Sequence, residues 1–280
     1  MIEYDSVALT TNAGRIVIPI KHPKSTDKFV NRGISGLGPP PVDVFTTSTM
    51  DPGVVQNGTH AQGREIVLTI GMNPWIGDNG TFASIRSELY SVLSGNHDRS
   101  VIFGFAKEGI AYDVATVQGS VSMMEVDMST ADPLVQITIQ CGSSFFQSAF
   151  IEDYTVADYT LTSSTYKTYG LEYDNTGRAP MGVYVYYKPL TAFTNGTVKL
   201  YNGPNVLTLT GISMSTSDYL TINSNVGQKR VELNGVSAMH RVSAGSRWPL
   251  LASTSSNLYL QSPVVASSIN TYITPLYWGV

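Results

Sequence analysis

The stretch GREIVLTIGM at residues 63–72 constrains the fold of this chain more than any other part of its sequence. Its apolar residues recur at every second position, and side chains alternate between the two faces of an extended chain. One face is therefore fully apolar, and it consists of Ile66, Leu68, Ile70 and Met72. The opposite face is mixed. The pattern predicts a strand with one face in a core and the other free to carry an active site or to assemble with other copies.

The first half of the chain contains further strand candidates and one helix. The strand candidates lie at residues 15–20, 42–47, 100–106, 109–126 and 134–141. The stretch TFASIRSELYSVLSG predicts the helix, because its apolar residues Phe82, Ile85, Leu89, Val92 and Leu93 recur at helical spacing. Asn79 or Thr81 is placed to cap its start, and Gly95 to close its end. The order β-β-β-α-β-β-β predicts a single helix that covers the apolar face of residues 63–72.

Two irregular stretches interrupt this half. GISGLGPPPVDV at 33–44 places three prolines directly before a strand, which is tolerated only at a sheet edge. Residues 48–63, STMDPGVVQNGTHAQG, form a connection longer than a hairpin loop, and connections of this length are usually functional or disordered. Its apolar character exceeds what a solvated linker needs. We expect an irregular loop whose contact residues are Met50, Pro52, Val54 and Val55.

The composition shifts toward Tyr, Thr, Ser and Asn in the second half. Short strand candidates follow at 183–188, 196–201, 206–209, 219–223, 229–233, 257–261 and 270–276. Asn-Gly pairs mark turns between them at 195–196, 202–203 and 234–235. Short, regularly spaced strands with turn signals are typical of an antiparallel sandwich. We see no helix in this half, and we predict two domains, 1–147 and 148–280.

Charge and composition argue against several classes of protein. The formal net charge is −4, and binding of nucleic acid through a basic surface needs clustered Lys and Arg. Residues 1–147 contain nine Lys and Arg against fourteen Asp and Glu, whereas the remainder contains eight against seven. No apolar run approaches the roughly 20 residues of a membrane helix, and the acidic N-terminus is unlike a signal peptide. We expect a protein that is made in a cytoplasm and does not insert into membranes.

Patterns that carry catalysis or bind cofactors are not evident. None of the histidines has metal-ligand spacing, and they are His22, His60, His97 and His240. The sequence has no G-x-S-x-G, Walker or dinucleotide-binding motif. Scattered acids such as Asp43, Glu65 and Asp113 are usually solvated or paired, and Cys141 fits a buried small residue better than a nucleophile. The sequence predicts that the protein is not an enzyme and has no cofactor or metal.

Aromatic residues are numerous in the second half, where they include Tyr184, Tyr186, Tyr187, Tyr201, Tyr219, Trp248, Tyr259, Tyr272, Tyr277 and Trp278. Alternating aromatics fill sandwich cores, whereas an exposed cluster can stack on sugar rings. The sequence leaves both roles open. Trp248 and Tyr201 are the candidate contacts with a saccharide or a partner protein.

The order of these features resembles the distal tail (Dit) proteins of long-tailed bacteriophages. In the first half the resemblance rests on GREIVLTIGM after a long loop, the IRSEL helix, the strands VIFGFA and IAYDVATVQGSV, and the closing LVQITIQCGSSFF. Family members often follow the Cys with Asp-Pro and an aromatic, and here Ser143-Ser144 replaces Asp-Pro before Phe145-Phe146. In the second half, NTGRAP, VLTLTGISMSTSDYLTIN, KRVELNG and RWPLLASTSSNLYL are similar to the galectin-like sandwich of these proteins.

This resemblance implies a mainly β fold and a structural role. The first domain would be a tail-tube-like sandwich or split barrel with one α-helix, and the second a galectin-like antiparallel β-sandwich. The protein would form a hexameric ring in the virion, between the tail-tube protein and the tail hub or tail-associated protein. DNA would pass through without specific binding.

In this arrangement residues 48–63 would be an arm that reaches the neighbouring subunit. The mixed face of residues 63–72 would lie toward a lumen or a neighbour. The second domain would point outward, toward a receptor-binding protein or a cell-surface saccharide. The alternative is a saccharide-binding module that contacts the host cell envelope.

Overall fold

The chain forms two compact units in this computed structural model. Unit 1 comprises Met1–Ala149 and Tyr277–Val280, and unit 2 comprises Phe150–Leu276. The last four residues of the chain therefore belong to unit 1. A division of the sequence at one point, such as 1–147 and 148–280, does not include this return of the chain. The structure describes residues 4–21, 23–24, 27–48, 54–74, 81–93, 99–108, 110, 113–127, 133–149, 151–155, 160–161, 166–173, 179–252 and 256–279.

In its described residues, unit 1 contains a main antiparallel sheet, a separate two-stranded sheet and one helix. Its elements are β1 (Ser6–Thr11), β2 (Gly14–Pro19), β3 (Phe29–Ser35), β4 (Val42–Ser48), β5 (Val54–Ala61), β6 (Arg64–Met72), α1 (Phe82–Leu93), β7 (Ser100–Ala106), β8 (Ala115–Asp127), β9 (Leu134–Cys141) and β10 (Phe146–Ser148). The main sheet has the order β2-β1-β7-β8-β9-β6-β3, and β10 pairs with β8 and with the last strand of the chain. β4 and β5 form a separate two-stranded sheet.

The predicted strand at 63–72 is confirmed as β6, between β9 and β3. Ile66, Leu68 and Ile70 are fully buried. They lie opposite apolar residues of β9 on the same face of the sheet. The apolar stripe of α1 enters the same core, through Ile85, Leu89, Val92 and Leu93. The helix therefore covers the face that the sequence pattern identifies.

The start of α1 is fixed by a reciprocal cap. The N–H of Thr81 donates to Ser84 Oγ at 2.9 Å, and the N–H of Ser84 donates to Thr81 Oγ1 at 3.3 Å. These two bonds satisfy backbone donors that a helix start leaves without intrahelical partners. Thr81 is thus the cap, while the other predicted capping residues, Asn79 and Gly95, lie outside the described residues.

The prediction of an irregular loop at residues 48–63 is wrong for its described part. β5 pairs antiparallel with β4, from Val42 opposite Ala61 to Ser48 opposite Val54, with a register shift after Phe45. The segment is therefore the second strand of a β-hairpin. Its residues do not alternate between apolar and polar, and the hairpin forms its own two-stranded sheet rather than a part of the main sheet. The period-2 signal of a half-buried strand is consequently missing.

β1, β3 and the short β10 have no counterpart in the sequence-based prediction. β1 is buried at three successive residues, Val7, Ala8 and Leu9, so it lacks alternation. β3 loses its alternation through a register irregularity between Asn31 and Gly33. The long candidate at 109–126 begins as a strand only at Ala115.

Unit 2 contains two antiparallel sheets. Its strands are β11 (Glu152–Thr155), β12 (Thr160–Leu161), β13 (Lys167–Tyr173), β14 (Tyr184–Pro189), β15 (Phe193–Asn202), β16 (Asn205–Met214), β17 (Leu220–Asn223), β18 (Arg230–Leu233), β19 (Val236–Ser237), β20 (Ser256–Ser262) and β21 (Ala266–Ile273). β22 (Leu276–Tyr277) follows and pairs with β10. The six-stranded sheet has the order β11-β21-β14-β17-β18-β19, and the five-stranded sheet β12-β13-β20-β15-β16. Both sheets contribute to one apolar core.

The turn signals of unit 2 are largely confirmed. Asn202-Gly203 joins β15 to β16, and Asn234-Gly235 joins β18 to β19. Asn195-Gly196 is not a turn, because it lies within β15 at a register shift, where Asn195 has a φ of 51°. The Asn-Gly pair supplies a positive φ in both settings, so the pair alone does not distinguish a turn from a bulge.

The mainly β fold with one α-helix agrees with the predicted fold class. Unit 2 adds only a 3₁₀ turn at Met239–Arg241 to the described helical residues. Among the residues that the structure describes, no helix has the length and apolar character that would cross a membrane.

Candidate assembly surfaces

The β4–β5 hairpin is a two-stranded sheet of unit 1 that is separate from the main sheet. Among the described residues its two strands pair only with each other. Val42, Val44 and Phe45 are 51%, 54% and 56% exposed. We call these three residues the arm patch. Val42 and Val44 lie on one face of β4 and Phe45 on the other, so both faces of this strand present exposed apolar side chains, which is typical of surfaces that a partner covers.

The predicted arm residues fall at the far end of this hairpin. Val54 and Val55 open β5, opposite Ser48 and Thr47. Met50 and Pro52 lie outside the described residues. The hairpin therefore provides the extended shape that an arm requires, and the contact role of these four residues stays a prediction.

The base of the hairpin is fixed by Arg64, the first residue of β6. Its side chain is 1% exposed. The guanidinium donates four hydrogen bonds, to the carbonyl oxygens of Gly36 (2.6 Å), Gly38 (2.8 Å), Ser144 (2.9 Å) and Trp278 (2.6 Å). It also lies 4.1 Å from the ring centre of Phe146. One side chain thus joins the segment before β4, the segment after β9 and the C-terminal segment.

We call Arg64 and its four hydrogen bonds the clamp. These hydrogen bonds compensate for the burial of a charged side chain. Burial lowers the pKa of Arg64, but the normal pKa of arginine is so high that the guanidinium stays protonated at neutral pH. The carbonyl oxygens replace the water that the two terminal nitrogens lose, whereas Nε is buried without a hydrogen-bond partner among the described residues. Gly36 permits the close approach, because its φ is +84° and a Cβ there would collide with the carbonyl oxygen of Glu65.

Sequence reasoning missed the role of Arg64 although a signal was present. Arg64 has the same strand parity as Ile66 and Leu68, so it falls on the core face. A charged side chain at such a position is tolerated only when its hydrogen bonds are satisfied. The position therefore indicates a buried polar anchor, but the acceptors are distant in sequence.

The face of the main sheet opposite α1 is mixed in its three strands β6, β8 and β9. In register across these strands, Glu65 lies opposite Gln140, which lies opposite Ser120. A second polar row runs from Thr69 through Gln136 to Glu125, and Val67, Thr138 and Met123 form the row between the two. We call the polar part of this surface the acidic face, and it comprises Glu65, Thr69, Ser120, Glu125, Asp127, Gln136 and Gln140. The described residues of these three strands place no Lys or Arg on it.

The scattered acids of unit 1 have individual partners rather than a shared site. Asp43 accepts a hydrogen bond from Gln62 at 2.7 Å. Glu65 accepts one from Gln140. Asp113 pairs with Arg15, although burial still raises the pKa of Asp113. Within the described ranges, no three His, Cys, Asp or Glu residues come close enough to hold a metal ion.

Cys141 is buried at the end of β9, with 4% exposure. Burial raises the pKa of its thiol to about 11, partly opposed by the nearby Arg64. An activated cysteine needs a lowered pKa, since the thiolate is the nucleophile. The environment of Cys141 is therefore that of a small core residue.

The tyrosines of unit 2 divide between core and surface. Tyr169, Tyr173 and Tyr187 are buried. Four others are partly exposed on the outward side of the six-stranded sheet, and they are Tyr184, Tyr186, Tyr219 and Tyr272. Some tyrosines thus fill the core, whereas others are partly exposed at the surface, so the two positions that the sequence left open are taken by different residues.

The two predicted contact residues of unit 2 have different environments. Tyr201 is partly exposed and stacks on Tyr259, with ring centres 5.1 Å apart and planes at 22°. Trp248 is partly buried and packs against the core of unit 2. Tyr201 is therefore a surface residue, whereas Trp248 lies at the core edge. Their role in binding stays a prediction.

No protein-family model matches the sequence, and no curated protein matches it. Its fold, however, is that of a phage distal tail hub protein. The solved structure that carries this conclusion is SPP1 Dit, described as a paradigm of the hub adsorption apparatus in phages that infect Gram-positive bacteria. The two chains align over 97% of this chain and 99% of SPP1 Dit, with a TM-score of 0.63 and 16% sequence identity.

A second solved structure, the phage P2 baseplate in its activated conformation with Ca, aligns over 98% of this chain and 99% of that chain. Its TM-score is 0.44 and its identity 8%. The likeness to SPP1 Dit confirms, at the level of the fold, the resemblance that the order of sequence features indicates.

Proposed function

We propose that this chain is a structural virion protein that forms a hexameric ring at the distal end of a phage tail. The observation that carries the proposal is the β4–β5 hairpin, a separate two-stranded sheet with an exposed arm patch. The end-to-end likeness in fold to SPP1 Dit supports the same role. The ring would connect the tail-tube protein to the tail hub or tail-associated protein.

Unit 1 would form the ring, with each arm seated on the neighbouring subunit. Burial of apolar surface contributes about 25 cal/mol per Å², so covering the arm patch favours association. A closed ring also removes exposed sheet edges, and the main sheet ends at β2 and β3. Arg64 would set the direction of the arm, because it fixes the segment before β4.

The acidic face is the surface that we assign to the lumen. Glu65, Glu125 and Asp127 would oppose the phosphates of passing DNA, because like charges repel. The amide and hydroxyl side chains around them carry no charge, and the one guanidinium at the border of this face in the described residues is that of Arg32, which lies over Gly71. DNA would therefore slide through without specific binding.

The arm is tested by making its patch polar. The variant combines Val42→Thr, Val44→Thr and Phe45→Ser. The fold should survive, because these side chains are more than half exposed, whereas ring assembly should weaken. The matched control is Leu190→Ser, which changes an apolar residue that is 55% exposed in unit 2.

Sedimentation velocity and negative-stain microscopy measure the outcome. Six-fold rings of the wild-type protein, lost in the arm variant and kept in the control, are the expected result. Intact rings of the arm variant would contradict the arm. A wild-type protein that stays monomeric up to about 1 mM would contradict self-assembly into a ring.

Deleting residues 48–63 is a blunter test. The carbonyl oxygens of Ala61 and Gln62 accept hydrogen bonds from Ser144 Oγ at 3.0 and 2.7 Å. The deletion would remove these anchors together with β5, so loss of the ring could follow from damage to unit 1. Substitution of the arm patch separates the two effects.

A further inference from the structure

A small cavity opens in unit 2 between β16, the β18–β19 hairpin and the 3₁₀ turn at Met239–Arg241. Its volume is about 220 Å³, and we call it the β16 cavity. For comparison, an apolar protein cavity of about 150 Å³ accepts a benzene molecule. The β16 cavity therefore has room for one small apolar group together with a polar substituent.

The inner wall of the β16 cavity is apolar. It includes Ile212 and Ala238, which are 1% and 4% exposed. Leu233 also lines the cavity and packs against the core of unit 2. An apolar group that entered the cavity would cover this wall and lose its own contact with water, which favours binding.

The opposite side of the cavity carries basic side chains. His240 and Arg241 are consecutive residues of the 3₁₀ turn, and both are exposed. The guanidinium of Arg241 lies beside Gly211, where an added Cβ would be 2.9 Å from Arg241 Nη1. Gly211 thus leaves open the space that the guanidinium occupies.

The backbone next to Arg241 is irregular on both neighbouring strands. Gly211 of β16 has a φ of 67°, and Asn195 of β15 has a φ of 51°. The register between the two strands shifts on both sides of the Gly196–Ile212 pair. Such bulges occur beside binding sites, where they redirect a side chain. The local backbone is therefore shaped around the guanidinium at the cavity wall.

The acidic side chains near the β16 cavity are engaged elsewhere. Among its described lining residues none is Asp or Glu. Glu232 lies opposite Ser237, but its Oε1 is 3.7 Å from Arg230 Nε. Asp218 accepts hydrogen bonds from the N–H of Ser215 and from Asn234 Nδ2. No described carboxylate forms an ion pair with Arg241. The cavity is therefore cationic on one side and apolar on the other.

We infer that the β16 cavity binds a small molecule that joins one apolar group to a carboxylate. The apolar group would lie against Ile212 and Leu233, and the carboxylate would accept hydrogen bonds from Arg241. The planar guanidinium matches the geometry of a carboxylate, which can accept two parallel hydrogen bonds from it. This inference goes beyond the ring proposal and does not depend on it.

The test measures binding of small carboxylates to the full chain by isothermal titration. The probes are N-acetylphenylalanine and N-acetylleucine, each compared with its primary amide, which keeps the apolar group and lacks the charge. At least one of the two acids should bind with a Kd below about 10 mM, and its amide should bind at least about tenfold more weakly. Acetate, which lacks the apolar group, should also bind more weakly than that acid.

The first test variant is Arg241→Gln, which should weaken binding of the acid by at least about tenfold. Its matched control is Arg247→Gln, because Arg247 is an exposed arginine of unit 2 that does not line the cavity. The second test variant is Ser237→Phe. Ser237 is exposed and lines the cavity, so the larger side chain should block entry. This variant keeps the inference testable if Arg241→Gln folds poorly.

Four results would overturn the inference. They are no binding of either acid at about 10 mM, equal affinity of acid and amide, unchanged affinity in a folded test variant, and an equal loss in Arg247→Gln. Sedimentation of the same variants should be unchanged, because the arm belongs to unit 1 and the β16 cavity to unit 2. Failure of carboxylate binding and failure of ring assembly are therefore separate outcomes.

Discussion

Arg64→Ala tests whether one buried guanidinium holds the base of the arm. The change removes four hydrogen bonds and the contact with the Phe146 ring at once. It leaves the carbonyl oxygens of Gly36, Gly38, Ser144 and Trp278 to water or without a donor. Because these acceptors come from three separate segments, the loss should loosen all three segments together.

The size of the effect follows from the exposure and the number of bonds. A buried polar group left without its partner costs about 1–3 kcal/mol. Four such losses do not add fully, since water enters the space and the protein no longer buries a charge. Removal of one partner from a buried charged interaction typically costs about 3–5 kcal/mol. We expect this range for the free energy of unfolding of unit 1.

Urea unfolding followed by circular dichroism measures this change. With a slope of about 2 kcal/mol per M for a domain of this size, the midpoint of unit 1 should fall by about 2 M. Hydrogen exchange should quicken at residues 36–38 and 277–279 before it changes in α1. Arg64→Lys should show an intermediate loss, because an ammonium lacks the planar fork that reaches four carbonyls.

The control is Lys28→Ala. Lys28 pairs with Glu88 at 2.7 Å, but the two side chains are 41% and 44% exposed. Exposed pairs contribute about 1 kcal/mol or less, so its midpoint should move far less. A midpoint shift of Arg64→Ala as small as that of Lys28→Ala would refute the clamp, as would unchanged exchange at the two segments.

Three further predictions concern two buried side chains and one close backbone contact. Cys141 should resist thiol reagents at pH 8 in the native chain and react after unfolding in urea, since burial raises its pKa to about 11; rapid native labelling would contradict its burial. Burial raises the pKa of Tyr187 to about 12 from an ordinary value of 10.0. The stability that the raised pKa provides is therefore present below pH 10 and is lost as the pH rises toward 12. Tyr187→Phe should remove this part of the pH dependence of the free energy of unfolding, which is about 1.4 kcal/mol per pH unit. Thermal melts of the wild type and the variant at matched pH values measure the difference. Identical pH profiles would contradict the raised pKa of Tyr187. Gly63→Ala should destabilise unit 1, because its Cβ would lie 2.7 Å from the carbonyl oxygen of Cys141. Gly142→Ala is the control and should be tolerated, because no atom lies within 4 Å of the added Cβ. Equal melting temperatures of the two variants would count against the clash at Gly63.

The sequence determined those elements whose residues meet a core on one side. β6 and α1 were predicted because burial on a single face imposes a period of two on a strand and about 3.6 on a helix. The turns at Asn202-Gly203 and Asn234-Gly235 were predicted because a positive φ favours these residues locally. Each of these signals lies within a short window of sequence.

Tertiary structure decided the features that depend on distant partners. β5 carries no apolar-polar alternation in its sequence, so its pairing with β4 is what defines it as a strand. Arg64 was visible as a charge on an apolar face, yet its acceptors lie as far away as Trp278.

The tyrosines of unit 2 show the same division. Sequence alternation separates Tyr186 from Tyr187 onto opposite faces of β14, but it does not say which face is the core. That choice depends on which side the second sheet covers, because apolar area is removed from water only where another layer packs against it. The sequence therefore determined the local pattern, and the packing of distant segments decided which surfaces remain available for partners.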